Sequence, residues 1–300
     1  MGLLDLILRR GNRLPRDQVT RLSRRARAAS KAEVAAMHTA IEKISALPGL
    51  ADVNRTKRVP KGFYGAVDEL VRLYDEYLTK VRHEMGLEEA AVAGQGEGVA
   101  ACHDVPMGVA GIESLNIYRH ARTWKDFPQV AQRLGEASEK LFQEIQSRHK
   151  GKDPEKIRMT GKAVFDGRRA FAKTATPCPF LDANRSKCRI WDRRPIVCRM
   201  HHLPHNPDWA HPQHPRFDDL KAKNLRLPVR QQLELTRIDK RMELQASPFL
   251  HVGVMQLLNL AGGELIPEVG EAARRMGQDG RVAQRANRNV RHAKKFKKRK

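Results

Sequence analysis

Three of the four cysteines in this 300-residue chain, Cys178, Cys188 and Cys198, stand ten positions apart, and the fourth, Cys102, lies far upstream. A thiolate is a soft ligand. Four of them suit tetrahedral zinc, or the irons of an iron–sulfur cluster. Lys187, Arg189, Arg193, Arg194 and Arg199 flank three of the cysteines. Such cations favour deprotonated sulfur and offset the negative charge of a four-thiolate centre. Phe180, Ile190, Trp191 and Val197 supply an apolar wall, and Trp191, Asp192, Arg194 and Arg199 are placed to support the ligands. There is no C-x-x-C knuckle, so each sulfur must come from its own loop. Spacing alone therefore leaves open that these are buried small hydrophobes, as free cysteine often is.

Other residues compete for roles. His201, His202, His205, His211 and His214 crowd the stretch after Cys198, and His103 adjoins Cys102. Neutral imidazole ligates zinc, so His103, His201 and His202 are alternative ligands. A catalytic zinc keeps a position open for water. Cys178, Cys188 and Cys198 with Asp182 or Asp192 as base would be such a site, but four available cysteines argue for a closed one. A nucleophilic Cys198–His201 pair is conceivable, with metal binding the simpler use of so many thiols.

The detailed pattern adds to this. The run Cys178-Pro179-Phe180-Leu181, then Cys188-Arg189-Ile190-Trp191-Asp192-Arg193-Arg194-Pro195-Ile196-Val197-Cys198-Arg199, resembles the YkgJ-type cysteine-cluster family, whose domain is described as zinc- or iron-chelating. Trp191 stands for that family's usual Tyr and Asp192 for its Glu. The family carries an earlier C-x-x-C-x-x-C-C cluster. Cys102 resembles its last cysteine, and Gln95, Gly98 and Ala101 occupy the other three places. The resemblance covers roughly 101–202. It implies zinc, iron or an iron–sulfur cluster on Cys102, Cys178, Cys188 and Cys198, with one four-sulfur centre at most. Some relatives of the pattern occur in flagellin lysine N-methylases, but no strand–Gly-loop–helix unit for a methyl donor is visible here.

The elements that must position these residues read as helices, with at most a few short strands. Ser30-Lys31-Ala32-Glu33 has the form of a capping box, and Val34, Met37, Ile41 and Ile44 follow at helical spacing up to Pro48-Gly49. The basic Arg21–Arg27 stretch extends or precedes that helix. Phe63, Val67, Leu70, Val71, Tyr74, Leu78 and Val81 form a second stripe, stopped at Gly86, and the two helices suit an antiparallel hairpin. Gly94-Gln95-Gly96-Glu97-Gly98 does not fit a phosphate loop and reads as a flexible connection. Val109, Ile112, Leu115 and Tyr118 mark another helix. Pro128 fits the first turn of the next, with the stripe Val130, Leu134, Leu141 and Ile145. A helix is also expected within 157–171. Seven prolines make 177–215 irregular, and a stretch that long needs something to hold it. Short strands are expected near Arg189–Trp191. Helices resume over 228–245 and, after the Ser247-Pro248 cap, over 249–260 up to Gly262-Gly263, with a last short one over 266–276.

The expected class is thus mostly α: a helical bundle-like body around an irregular, Pro-rich metal-binding segment. Its regions are an N-terminal helical part (1–93), the cysteine domain (94–215), C-terminal helices packing on it (216–280) and a basic disordered tail (281–300). The chain has 57 Lys and Arg against 34 Asp and Glu, a formal charge of +23. Between Arg281 and Lys300 there are ten Lys or Arg and no acid. That balance favours polyanions, bound non-specifically through Arg291, Lys294, Lys295, Lys297 and Lys298. No run is apolar enough to span a membrane, and Met1–Leu8 reads as a short amphipathic helix, not a secretory signal. Few cysteines without such a signal point to the cytoplasm. The first functional expectation is a metal-binding protein with a structural or redox-active centre. The alternatives are a zinc-stapled nucleic-acid-associated protein and a metal-dependent enzyme such as a relative of protein lysine methylases. The oligomeric state is not legible.

Overall fold

The structure, a computed structural model, describes residues 18–148, 161–182, 184–244 and 246–270. The fold is mostly α, with one small sheet. Arg24–Ala29 (α1) leads directly into Lys31–Ser45 (α2). Ser30 does not cap α2 with its side chain, because its hydroxyl donates instead to the Ala26 carbonyl at 2.8 Å. The two helices run on with a kink at Ser30, so no free helix start needs the capping box.

Phe63–Met85 (α3) is the longest described helix, closed by Gly86 in the left-handed conformation. Phe63, Val67, Leu70, Tyr74 and Val81 are all buried, and α3 packs along α2. Tyr74 sits within this apolar layer and still donates its hydroxyl to the Leu225 carbonyl. Gly111–Arg122 (α4), Phe127–Ser147 (α5), Gly161–Lys173 (α6), the single turn Ile196–Arg199 (α7), Val229–Arg241 (α8) and Leu250–Leu260 (α9) complete the body. Pro128 occupies the first turn of α5, where no N–H is required. Val130, Leu134, Leu141 and Ile145 are buried as their spacing demands. One continuous apolar cluster runs from Ala26 to Ile266.

The strands lie elsewhere than expected. Ala91–Val92 (β1), His201–Leu203 (β2) and Lys223–Asn224 (β3) form an antiparallel sheet in the order β1-β2-β3, with His202 opposite Val92 and Lys223. Arg189–Trp191 is not a strand. Trp191 starts a 3-10 turn, and pairing stops at the isolated bridge of Leu181 with Cys188. Gly94–Gly98 is no loose connection either. Gly98 N–H donates to the Gln95 carbonyl at 3.0 Å, and a Cβ on Gly98 would stand 2.0 Å from the Val92 carbonyl oxygen. At α9, Phe249 takes the N-cap place and Ser247 accepts its N–H at 3.3 Å. Residues 266–270 form a bridge with Val59 and a turn instead of a helix. The amphipathic start Met1–Leu8, the remainder of the 266–276 segment and the basic tail with Arg291, Lys294, Lys295, Lys297 and Lys298 lie outside the described residues.

His251 of α9 is 0% exposed, with neither ring nitrogen hydrogen-bonded. Burial pushes its pKa from 6.5 down to about 3. The ring is neutral in the fold and takes a proton on unfolding below pH 6.5, so stability falls as the pH drops from there toward 3. The slope is up to ~1.4 kcal/mol per pH unit. In His251→Leu that contribution disappears. Urea midpoints measured between pH 6.5 and 5 should then change less with pH than those of the unaltered chain; equal slopes would contradict a neutral buried ring.

Candidate metal centre

The four cysteines arrive on separate pieces of backbone that are tied to one another. Cys102 ends the 3-10 helix Gly96–Cys102, and its carbonyl accepts the Cys178 N–H at 2.8 Å. Cys188 donates its N–H to Gly94 at 2.8 Å and bridges Leu181, just beyond Cys178. Cys198 lies in α7, whose first turn bonds back to the Pro195 carbonyl at 2.8 Å. All four line one cavity of about 30 Å³, together with Gly94, Ala101, Asp104, Arg168, Arg194 and His201. That volume is on the scale of one water or one ion. None of the four is in a disulfide.

Burial pushes the Cys178 thiol well above its ordinary pKa, and Cys102, Cys188 and Cys198 add to the push. Cys188 is also raised by burial, with Arg194 and Arg199 pulling the other way. The thiols share a space without standing in a finished coordination geometry: among the described residues, no three His, Cys, Asp or Glu are set to hold a metal ion.

The flanking cations divide into two kinds. Arg194 is 6% exposed, and its guanidinium lies 3.3 Å from the Trp191 ring centre. Its hydrogen bonds go to the carbonyls of Ala93 and Trp191, and none goes to a carboxylate. Burial lowers its pKa to about 10, while Cys198 and Cys188 pull it back up. Arg199 is equally buried, donates to the carbonyls of Arg194 and Asp192 at 2.7 and 2.6 Å, and pairs with Asp75 of α3. The other cations point elsewhere. Arg189 grips Asp126 at 2.6 and 2.8 Å over the Trp124 ring, Arg193 stands 3.9 Å from Asp68, and Lys187 is exposed. Phe180, Ile190 and Val197 form the buried wall, and Trp191 is half-buried.

Of the histidines, His201 lines the cysteine cavity, while His103 packs against His211 with ring centres 4.5 Å apart and the planes tilted by 56°. His202 faces a separate cavity, and burial lowers its pKa to about 4, so it is neutral. Neither acid considered as a base lines the cysteine cavity. Asp182 accepts from the Ser186 N–H and hydroxyl at 2.7 and 2.8 Å on the surface, and Asp192 lines the separate cavity with His202. The acid that does line the cysteine cavity is Asp104, buried and paired with Arg168 at 2.9 Å.

Three contributors had escaped notice in the sequence. Glu113, the third residue of α4, accepts the Ala110 N–H at 2.9 Å and the Ile196 N–H at 2.7 Å. It thereby ties the turn carrying Cys198 to the bundle. Its burial raises its pKa to about 7. Asp104 and Arg168 are the second pair. Gly94 is the third. With φ +102°, it approaches so closely that a Cβ would meet the Cys188 Cβ at 2.9 Å. Only its place in a run of three glycines hinted at a special conformation.

Comparison with known proteins bears on the same segment. Residues 123–218 match the CxxCxxCC family, described as "Putative zinc- or iron-chelating domain". By this match the stretch is similar to that family over about a third of the chain. The matched part includes Cys178, Cys188 and Cys198 and leaves Cys102 outside it. The family's description is of metal chelation and does not name one metal. No curated protein and no solved structure matches the chain significantly.

The cavity suits what the family's description asks for. Four cysteines line one small cavity, and beside them sits a buried guanidinium whose hydrogen bonds among the described residues go to carbonyls, with Asp75 acting on it only through space. Gly94→Ala should therefore disturb the centre. The added Cβ meets Cys188 in a backbone conformation that costs a side chain roughly 1–3 kcal/mol. Chemical denaturation should show a loss of about that size, whereas Gly96→Ala, which has open space around it despite its positive φ, should lose less. Equal losses would mean the contact with Cys188 is not tight.

Proposed function

We propose that the protein binds one zinc or iron ion through Cys102, Cys178, Cys188 and Cys198, in a closed centre that holds the Pro-rich segment in place. The carrying observation is Arg194: a buried cation paired only with carbonyls, adjoining Cys188 and Cys198. A guanidinium so placed costs free energy unless negative charge develops nearby. Four thiolates around a divalent ion supply it. Such a metal would supply charge and cross-linking to the loops. The chain's own residues do the rest. Phe180, Ile190 and Val197 exclude water, Glu113 positions the Cys198 turn, and Arg194 faces the sulfurs.

The size of the cavity favours a single ion over an iron–sulfur cluster, which is a larger body. With four sulfurs in play, no place is left for a reacting water, which favours a structural or electron-storing centre over a hydrolytic one. Cys102, Cys178, Cys188 and Cys198 would hold the ion as thiolates, so binding would release their protons.

Elemental analysis of anaerobically purified protein is the direct test. The expected result is close to one equivalent of zinc or iron, lost in Cys178→Ser and in Cys188→Ser. Arg194→Met should lower metal affinity by about tenfold or more, and some stability with it, because the Ala93 and Trp191 carbonyls lose their donor; an unchanged affinity would count against a role for its charge. Metal-free protein from anaerobic preparations, still unable to take up zinc or iron after reconstitution, would end the proposal.

A second reading is favoured by charge. Arg21, Arg216, Lys221 and Lys223, against Asp218 and Asp219, line a groove beside Trp209, whose ring lies 4.1 Å from the guanidinium of Arg216, itself paired with Asp219. Cations around an aromatic face suit a nucleic acid, with the metal as staple. Binding of single-stranded RNA that survives removal of 281–300 and is weakened by Trp209→Ala would support it.

A further inference from the structure

A second cavity, of about 510 Å³, lies on the other side of Arg194 from the cysteines. One wall is a face of α3 from Asp68 to Arg82; the other is the Trp191–Arg199 stretch, with His202 of β2. Five guanidinium groups line it against three carboxylates, and of the five Arg72 is taken up by Glu69 and Glu76 outside the lining. Asp75 is engaged by Arg199, and Asp68 accepts from Asn116 at 2.8 Å. Arg82 donates only to the carbonyls of Leu87 and Glu88. Arg193 is a third exposed and meets Asp68 only at 3.9 Å, beyond hydrogen-bond distance. The space thus has positive charge to spare.

His202 adds an unusual element. It is 0% exposed. Its Nδ1 lies 3.1 Å from the Met200 carbonyl, an acceptor, so Nδ1 carries the proton. Nε2 is left with a lone pair, buried and without a partner. A lone pair repels a fully deprotonated anion and accepts from one that keeps a hydroxyl. We infer that this cavity binds a small oxyanion bearing its own O–H group, held by Arg82 and Arg193 and selected by the Nε2 lone pair of His202. Hydrogen phosphate and short hydroxycarboxylates share this chemistry. Sulfate, and a dicarboxylate without a hydroxyl, lack it. Sites that hydrogen-bond a ligand hydroxyl reject analogues that lack one, because the buried partner is then left unpaired.

The inference stands apart from the metal reading, since none of the four cysteines lines this cavity. The test is calorimetric titration of the full chain, as purified, at pH 7 and fixed ionic strength. The probes are inorganic phosphate against sulfate, and malate against succinate. Phosphate or malate should bind at least about tenfold more tightly than its hydroxyl-free counterpart, a gap of ~1.4 kcal/mol. The tighter of the two identifies the natural class. Arg193→Ala should weaken phosphate and sulfate alike, by about tenfold. His202→Phe, which keeps a ring and removes the acceptor, should erase the preference while sulfate binding persists. If His202→Phe does not fold, the unaltered chain and Arg193→Ala still decide. Absence of binding by both phosphate and malate, equal affinity within both pairs, or indifference to Arg193→Ala would overturn the inference.

Discussion

An irregular backbone has to satisfy its carbonyls with something other than a helix or a sheet, and in this protein buried arginines do it. Arg199 reaches the carbonyls of Asp192 and Arg194, and Arg194 reaches those of Ala93 and Trp191. Each guanidinium offers five donors in a fixed fork, so one side chain can fasten several turns at once. Asp75 anchors Arg199 to the long helix α3, which fixes the network to the apolar core. The cysteine turns inherit their positions from this scaffold. Burying two like charges so close together is costly. That cost explains why the neighbourhood also holds Asp75 and four ionisable thiols.

Glu113 does the same work with the opposite charge. Its carboxylate gathers N–H groups at the start of α4 and at the start of α7, two places where backbone donors would otherwise go unmet. A helix that belongs to the bundle and a turn that belongs to the cysteine segment are joined by one buried side chain. The matched family domain begins after α4. Part of what positions its cysteines therefore comes from residues outside the matched stretch, as Cys102 itself does.

Local and periodic features were legible from the residues alone. The stripe of Phe63 to Val81 and that of Val130 to Ile145 each became a helix with that face buried, because a 3.6-residue repeat has one apolar solution. Gly86 and Pro128 acted as stop and start for reasons that lie in their own backbones. The gathering of the four cysteines at one cavity could be suspected from their chemistry. What escaped reading depends on partners distant in sequence. Ser30 looked like a cap, but the preceding turn of helix supplied a better acceptor, Ala26. Gly94 looked like slack, yet it lies at φ +102° where a side chain's Cβ would run into Cys188. Among five flanking cations nothing local separated Arg194 and Arg199 from Arg189, which Asp126 draws away. A few short strands were expected and are present, but not at Arg189–Trp191, because strands of two or three residues are too short for alternation to mark their place.

The hydrogen bond from Cys178 to the Cys102 carbonyl has an implication for how the chain is closed on itself. It joins two remote stretches of chain by main-chain atoms alone, with no help from sulfur. The loop of some seventy residues between them is thus held at its ends by backbone as well as by side chains, and part of the entropy of closing it is met by the main chain.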